Sequence, residues 1–357
     1  MSRESKQKAI VYCEGAFNTP NGKTAHGLVR FTRRYDILAI LDSRYRGQDA
    51  GSVLDGTNRG IPILGSMEEA AGMADAHGQG ATHFVVGLAP DSGRLSQKAR
   101  EDVGQALRLG WNVDSGLHDF LSEDPELNAI ASENGVVIRD VRKTPSRAEM
   151  HFFTGGIEKV SSFRIAVLGT DSAVGKRTTA WGIVEGFEQA GYTVEMIGTG
   201  QTAWLQGARY TVMLDSLIND FVTGEIEHVI VKAWDERKPD VIVVEGQGSL
   251  LNPAYPGGFE ILAATRPDVI VLQHAPARRE YDGFPGYPIH PLTRQIQALE
   301  IISGKPVVAI AVNHEGIPRE EIDTVCGIME RTTGLPTVDT LVHGARRLVD
   351  TLIHYSK

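Results

Sequence analysis

The run Leu168-Gly169-Thr170-Asp171-Ser172-Ala173-Val174-Gly175-Lys176-Arg177-Thr178-Thr179 constrains the fold of this chain more than any other feature. The apolar segment Ile165-Ala166-Val167-Leu168 leads into it and an amphipathic segment follows. A strand, a glycine-rich turn and a helix N-terminus in that order build a cradle for phosphate. Glycines let backbone N–H groups crowd round phosphate oxygens, the helix end adds a positive field, and Lys176 adds a full charge. The residue after the lysine is Arg177. Mg-dependent nucleotide-binding loops carry there the serine or threonine that holds the metal. The turn therefore specifies phosphate more firmly than it specifies ATP hydrolysis.

Apolar strand-like runs alternate with helical patterns along the whole chain, which predicts an α/β fold with mostly parallel sheets. In the first half the strand candidates are 9–12, 37–41, 83–86 and 136–138. Leu95, Ala99, Val103, Ala106 and Leu107 recur at helical spacing, and Gly110 marks a stop. Residues 139–155 turn polar, with Pro145, Gly155 and Gly156, and read as a linker. A first domain of residues 1–150 and a second of 151–357 are expected, the second with its first strand near Phe163. There, Ala180, Ile183, Val184 and Phe187 form the core stripe of a helix ended by Gly191. Residues 193–197 read as a strand. Ile218, Phe221, Val222, Ile226, Val229 and Ile230 line one face of another helix, and strands follow at 240–244, 269–272 and 307–312. These runs lack period-two alternation, as strands covered on both faces do.

Lys and Arg total 36 against 45 Asp and Glu, a net charge of -9. No long basic block offsets that balance, so nucleic-acid and anionic-membrane binding are not expected. No apolar run approaches the roughly 20 residues of a membrane span, and residues 1–8 are polar, with no signal-peptide core. A cytoplasmic protein is expected. Cys13 and Cys326 lie far apart in apolar contexts and read as buried, reduced thiols, with no metal site indicated.

Further chemistry is offered by Val243-Val244-Glu245-Gly246-Gln247-Gly248, where a carboxylate ends a strand and enters a glycine turn. Ligands of open α/β sheets bind at that end of the strands, so Glu245 is expected to face the phosphate turn. It can hold Mg²⁺ through water, take a proton from a substrate, or simply cap a nearby turn. Gly198-Thr199-Gly200-Gln201-Thr202 suits close approach of a ligand, or is a plain loop. Asp215, with Asn219 and Asp220, reads either as a helix cap with acidic first-turn residues or as a site carboxylate. Gln273, His274, Arg278, Arg279, Tyr281, Pro285, Gly286, Tyr287 and His290 occupy a connection long enough to suggest a functional loop. Its arginines can fork onto a substrate carboxylate or phosphate, or be solvated; its histidines can move protons or be structural. In the first half, Gly22-Lys23-Thr24-Ala25-His26-Gly27 lacks the upstream glycine of a phosphate loop. Asp42-Ser43-Arg44 stands where Rossmann-type domains touch a ribose, but without a preceding GxGxxG. Gly116-Leu117-His118-Asp119 reads as a turn after a buried strand.

The Gly-Thr-Asp opening and Val-Gly-Lys ending of the phosphate loop, with the segment 243–248, resemble dethiobiotin synthetase. Over nearly its full length the chain resembles the DgcN-like family, D-glutamate N-acetyltransferases long described as a domain of unknown function. Lys23-Thr24-Ala25-His26-Gly27, Gly116-Leu117-His118, Gly169-Thr170-Asp171, Val174-Gly175-Lys176-Arg177-Thr178-Thr179 and Val244-Glu245-Gly246-Gln247-Gly248 carry that resemblance. It implies a Rossmann-like N-terminal domain followed by a P-loop domain. It also implies acetyl transfer from acetyl-CoA to the amino group of D-glutamate or a related amino acid, in D-amino-acid catabolism. Coenzyme A carries a pyrophosphate that needs the same cradle as a nucleotide, and Arg177 suits its neutralisation by side chains rather than Mg²⁺. On this reading residues 169–179 hold acetyl-CoA, and Glu245, Asp215 or His274 accepts the substrate's proton. Gln247, Arg278, Arg279 and Tyr281 then hold the substrate. Small molecules and a second copy of the chain are the expected partners. Two other readings stay open: an ATP- and Mg-dependent ligase or kinase using Thr178 or Thr179, and a nucleotide- or CoA-binding protein without turnover.

Overall fold

Two parallel sheets carry the fold among residues 6–76, 80–90 and 93–356, which the computed structural model describes. Residues 1–5 of the polar N-terminus lie outside them. The first sheet comprises β1 (Gln7–Tyr12), β2 (Tyr35–Leu41), β3 (Ile63–Leu64), β4 (His83–Val86), β5 (Asn112–Ser115) and β6 (Ile138–Asp140). Its order, β3-β2-β1-β4-β5-β6, is that of a doubly wound dinucleotide-type sheet. Ala9, Ile10 and Val11 of β1 are wholly buried, as the central strand of such a sheet must be. Helices α1 (Lys23–Arg30), α2 (Ala50–Asp55), α3 (Met67–Ala76), α4 (Gln97–Arg108) and α5 (Pro125–Glu133) connect the strands. Local sequence starts several of them. Asp49 caps α2, Ser96 caps α4, and Asp124 caps α5 ahead of Pro125 at its first position.

The last strand of this sheet sits two residues later than the apolar run 136–138 suggests. Val137 is exposed. The buried Asp140 instead accepts the Leu121 and Ser122 N–H groups at 2.9 and 2.8 Å. Arg142, also buried, donates to the Gly116 carbonyl at 2.7 Å. Residues 139–142 therefore belong to the first unit rather than to a linker. The expected linker's other end is likewise structured. His151 and Thr154 donate their N–H groups to Glu225 and Glu227, and a Cβ on Gly224 would lie 2.0 Å from the His151 carbonyl oxygen.

The second sheet comprises β7 (Phe163–Gly169), β8 (Val194–Gly198), β9 (Tyr210–Thr211), β10 (Val241–Glu245), β11 (Val269–His274), β12 (Val307–Val312) and β13 (Thr337–Asp339). They run β13-β12-β11-β7-β10-β8-β9, with β7, β10, β11 and β12 almost wholly buried. The helices are α6 (Lys176–Gln189), α7 (Gln201–Gln206), α8 (Val222–Arg237), α9 (Gly258–Thr265), α10 (Leu292–Ser303), α11 (Ile322–Thr333) and α12 (Arg346–Tyr355). Phe221, Val222, Ile226, Val229 and Ile230 are buried as the helical periodicity demands. Ile218 is not on that face: it precedes α8 in extended conformation and is 39% exposed. Asp215 and Asp220 do not cap α8 either, because Phe221 stands at its N-cap and no side chain caps it.

The chain divides into two compact units, one running to Thr144 and including Gln201–Gly207, the other taking Pro145–Gly200 and Ala208–Lys357. A single division at residue 150 would leave α7 in the second unit. The structure packs it in the first, where Leu205 is fully buried and Gln206 donates to the Gly27 and Phe31 carbonyls. Cys13 and Cys326 are free, buried thiols. No helix among the described residues is long and apolar enough to cross a membrane.

Candidate functional site

The phosphate loop joins β7 to α6 at the carboxyl end of the second sheet's central strands, where a ligand site is expected. Two glycines are required by its shape. Gly175 has φ +105°, and a Cβ on Gly169 would stand 2.9 Å from the Lys176 ammonium. Ala173 also takes a left-handed conformation, with φ +52°. No side chain caps the start of α6. The backbone N–H groups of its first turn are therefore not taken by a capping side chain. Lys176 is buried, and its ammonium donates to the Asp171 and Gly248 carbonyls at 2.7 and 2.8 Å. Burial lowers its pKa to about 8, while the Glu245 and Asp171 carboxylates pull the other way.

Asp171 is a brace. It is wholly buried, and one oxygen accepts the Ser172 N–H and the Asn252 amide. The other accepts Arg278 and the Asp282 N–H, at 3.0 and 2.9 Å. Arg278 also donates to the Ser172 carbonyl and to Glu315. The fork expected on a substrate carboxylate is thus engaged within the protein. Asn252 and Asp282 carry no motif that sequence reading could single out. Thr170 meets His274 through its hydroxyl at 2.8 Å, and burial lowers the His274 pKa to about 4. A neutral imidazole tied to the loop is a poor general base near neutral pH. The Thr179 hydroxyl donates to Gln273 at 2.5 Å and also lies 3.1 Å from that of Thr340.

Glu245 ends β10, one strand across from the phosphate loop. It is buried, accepts the Thr199 N–H at 3.1 Å, and lies 3.8 Å from the Arg177 guanidinium. Desolvation pushes its pKa up against the opposing pull of Arg177, the Thr199 N–H and Lys176. Gln247 donates to the Thr199 carbonyl at 2.8 Å. Gly248, with φ +50°, lets the next turn fold tightly: a Cβ there would fall 1.7 Å from the Tyr255 carbonyl oxygen. The hydroxyls of Thr199 and Ser249 are buried without a hydrogen-bond partner among the described residues.

The structure therefore brings together Lys176, Arg177, Glu245, Gln247 and Thr199. Other expected members stand apart from this group. Asp215 is exposed in the turn after β9, its carboxylate on the Ser216 hydroxyl, though the adjoining Leu214 N–H bonds the Thr199 carbonyl. Arg279 is exposed. Tyr281 is buried with its hydroxyl 3.4 Å from His290. In the first unit, the buried Asp42 carboxylate is satisfied by Arg44 and the Phe17 N–H.

A family model described as the P-loop domain of a domain of unknown function, DUF1611, matches residues 151–349. A second, the Rossmann-like domain of DUF1611, matches residues 43–144. A protein of Tritonibacter scottomollicae named D-glutamate N-acetyltransferase is 32% identical over 287 residues, 78% of this chain and 84% of its own. One of the same name from a Pseudoalteromonas species is 31% identical over 283 residues, 76% of this chain and 82% of its own. The crystal structure of a DUF1611 family protein from Anabaena variabilis superposes with a TM-score of 0.89 at 27% identity. That match covers 98% of this chain and 100% of the other.

Proposed function

Because this chain belongs to the DUF1611 family, with its Rossmann-like and P-loop domains, we propose that it is an N-acetyltransferase. On this reading it moves the acetyl group of acetyl-CoA to the amino group of D-glutamate or a related amino acid. One observation carries the chemistry: a buried carboxylate of raised pKa, Glu245, held beside Arg177 and Lys176 across from an uncapped helix N-terminus. The cradle's glycines, the first turn of α6 and the Lys176 ammonium fit a pyrophosphate such as that of coenzyme A. Acetyl-CoA supplies an activated acyl carbon and a thiolate leaving group. Glu245 takes a proton from the substrate ammonium, which frees the nitrogen lone pair. The nitrogen bonds to the acyl carbon, the carbon–sulfur bond breaks with its electron pair on sulfur, and a proton passes to the thiolate. Arg177, next to Lys176 in the chain, adds a second positive charge to neutralise that pyrophosphate.

The ATP- and Mg-dependent reading has less support. Of the two hydroxyls it can use, that of Thr179 is engaged by Gln273 and Thr340. Calorimetry of acetyl-CoA on the parent chain and on Lys176→Ala tests the proposal. Loss of one charge-assisted contact to phosphate should weaken binding about ten- to hundredfold. Equal affinity in the two proteins would contradict it.

A further inference from the structure

We propose that the Thr199 hydroxyl positions the substrate's amino group, by accepting a hydrogen bond from it beside Glu245. This inference rests on the acetyltransferase reading and assigns a residue role within that site. Thr199 follows β8, the strand that pairs with β10. Its backbone is fully used: the N–H donates to the Glu245 carboxylate, and the carbonyl accepts both the Gln247 amide and the Leu214 N–H. Its side chain is wholly buried, yet the hydroxyl has no partner among the described residues. An unpaired buried hydroxyl is a liability that valine, of nearly the same shape, would remove. Keeping it is explained by a polar atom that arrives with a ligand.

The neighbours decide which atom that is. One Glu245 oxygen accepts the Thr199 N–H, and the other faces the Arg177 guanidinium at 3.8 Å, a distance too long for a hydrogen bond. An ammonium has three N–H groups and no acceptor, so it suits a carboxylate flanked by a hydroxyl oxygen. One N–H on Glu245 and one on Thr199 fix the nitrogen in two directions. The lone pair left after deprotonation is then aimed rather than left to rotate.

Thr199→Val keeps the shape and removes the acceptor; Thr199→Ser keeps the acceptor. The parent chain is assayed first with acetyl-CoA and D-glutamate, since absence of turnover with it and with related amino acids would overturn the acetyltransferase reading itself. Given turnover, Thr199→Val should lower kcat/KM for the amino acid about ten- to hundredfold, the size expected for a lost bond to a charged group. Calorimetric affinity for D-glutamate should fall with it, affinity for acetyl-CoA should not change, and Thr199→Ser should restore most of the loss. Unchanged kcat/KM in Thr199→Val overturns the inference. So does an equal loss of acetyl-CoA affinity, or a serine variant as poor as the valine one, because either marks a role in shaping the loop.

Discussion

Glu245 is the residue on which the proposed chemistry depends most. A general base typically contributes about 10²–10⁴-fold, so Glu245→Gln should lower kcat by that order and leave acetyl-CoA affinity nearly unchanged. Its pKa is raised in the folded chain. The associated stability is therefore present below the ordinary value of 4.5 and is lost as pH rises through the raised value. Glu245→Gln should then melt higher than the parent chain at neutral pH, the gap closing as pH falls through the raised value toward 4.5. A variant that melts lower at neutral pH would mark Glu245 as structural. Lys176, lowered to about 8 by burial, predicts the alkaline side. The kcat/KM for acetyl-CoA reports the free enzyme and should fall above about pH 8. The kcat reports the bound state, where phosphate favours the ammonium, and should hold to higher pH. Coincident alkaline limbs would contradict a phosphate contact by Lys176.

Between elements, the phosphate loop is held by partners remote in sequence. Its strand, glycines and helix start are legible from residues 165–179 because each is set by local backbone demands. Its brace is not, because Asp171 meets Arg278 across 107 residues and Asp282 across 111. Arg278 and Arg279 look alike in sequence; only the fold separates the one engaged on Asp171 from the one exposed. Breaking a buried ion pair costs roughly 3–5 kcal/mol. Asp171→Asn should fall at the low end of that range, since Arg278 keeps Glu315 and is partly exposed. Urea unfolding measures this, and acetyl-CoA affinity should drop in the same variant. Unchanged stability with lost affinity would make Asp171 a ligand contact instead of a brace. The cap expected from Asp215 fails for a related reason: a 3-10 turn at Asn219–Phe221 starts α8 with no side-chain cap.

Over the whole molecule, alternating apolar runs disclose the α/β class, and the glycine-rich run discloses which sheet carries the P-loop. They do not disclose that α7 leaves the second unit, because its apolar positions are too few to show which core they complete. Leu205 is fully buried in the first unit. Burying a leucine contributes about 1.5–3 kcal/mol. A fragment of residues 6–144 should therefore melt lower than the same fragment with residues 200–208 joined by a flexible linker. Equal melting would contradict the exchange. The chemistry is tested most directly by incubating the full chain with acetyl-CoA and D-glutamate in EDTA, without ATP, and following N-acetyl-D-glutamate and free thiol together. Equimolar appearance of both is predicted. Product formed only when ATP and Mg²⁺ are supplied would contradict an acetyl transfer in which Lys176 and Arg177, rather than a metal, neutralise the phosphates.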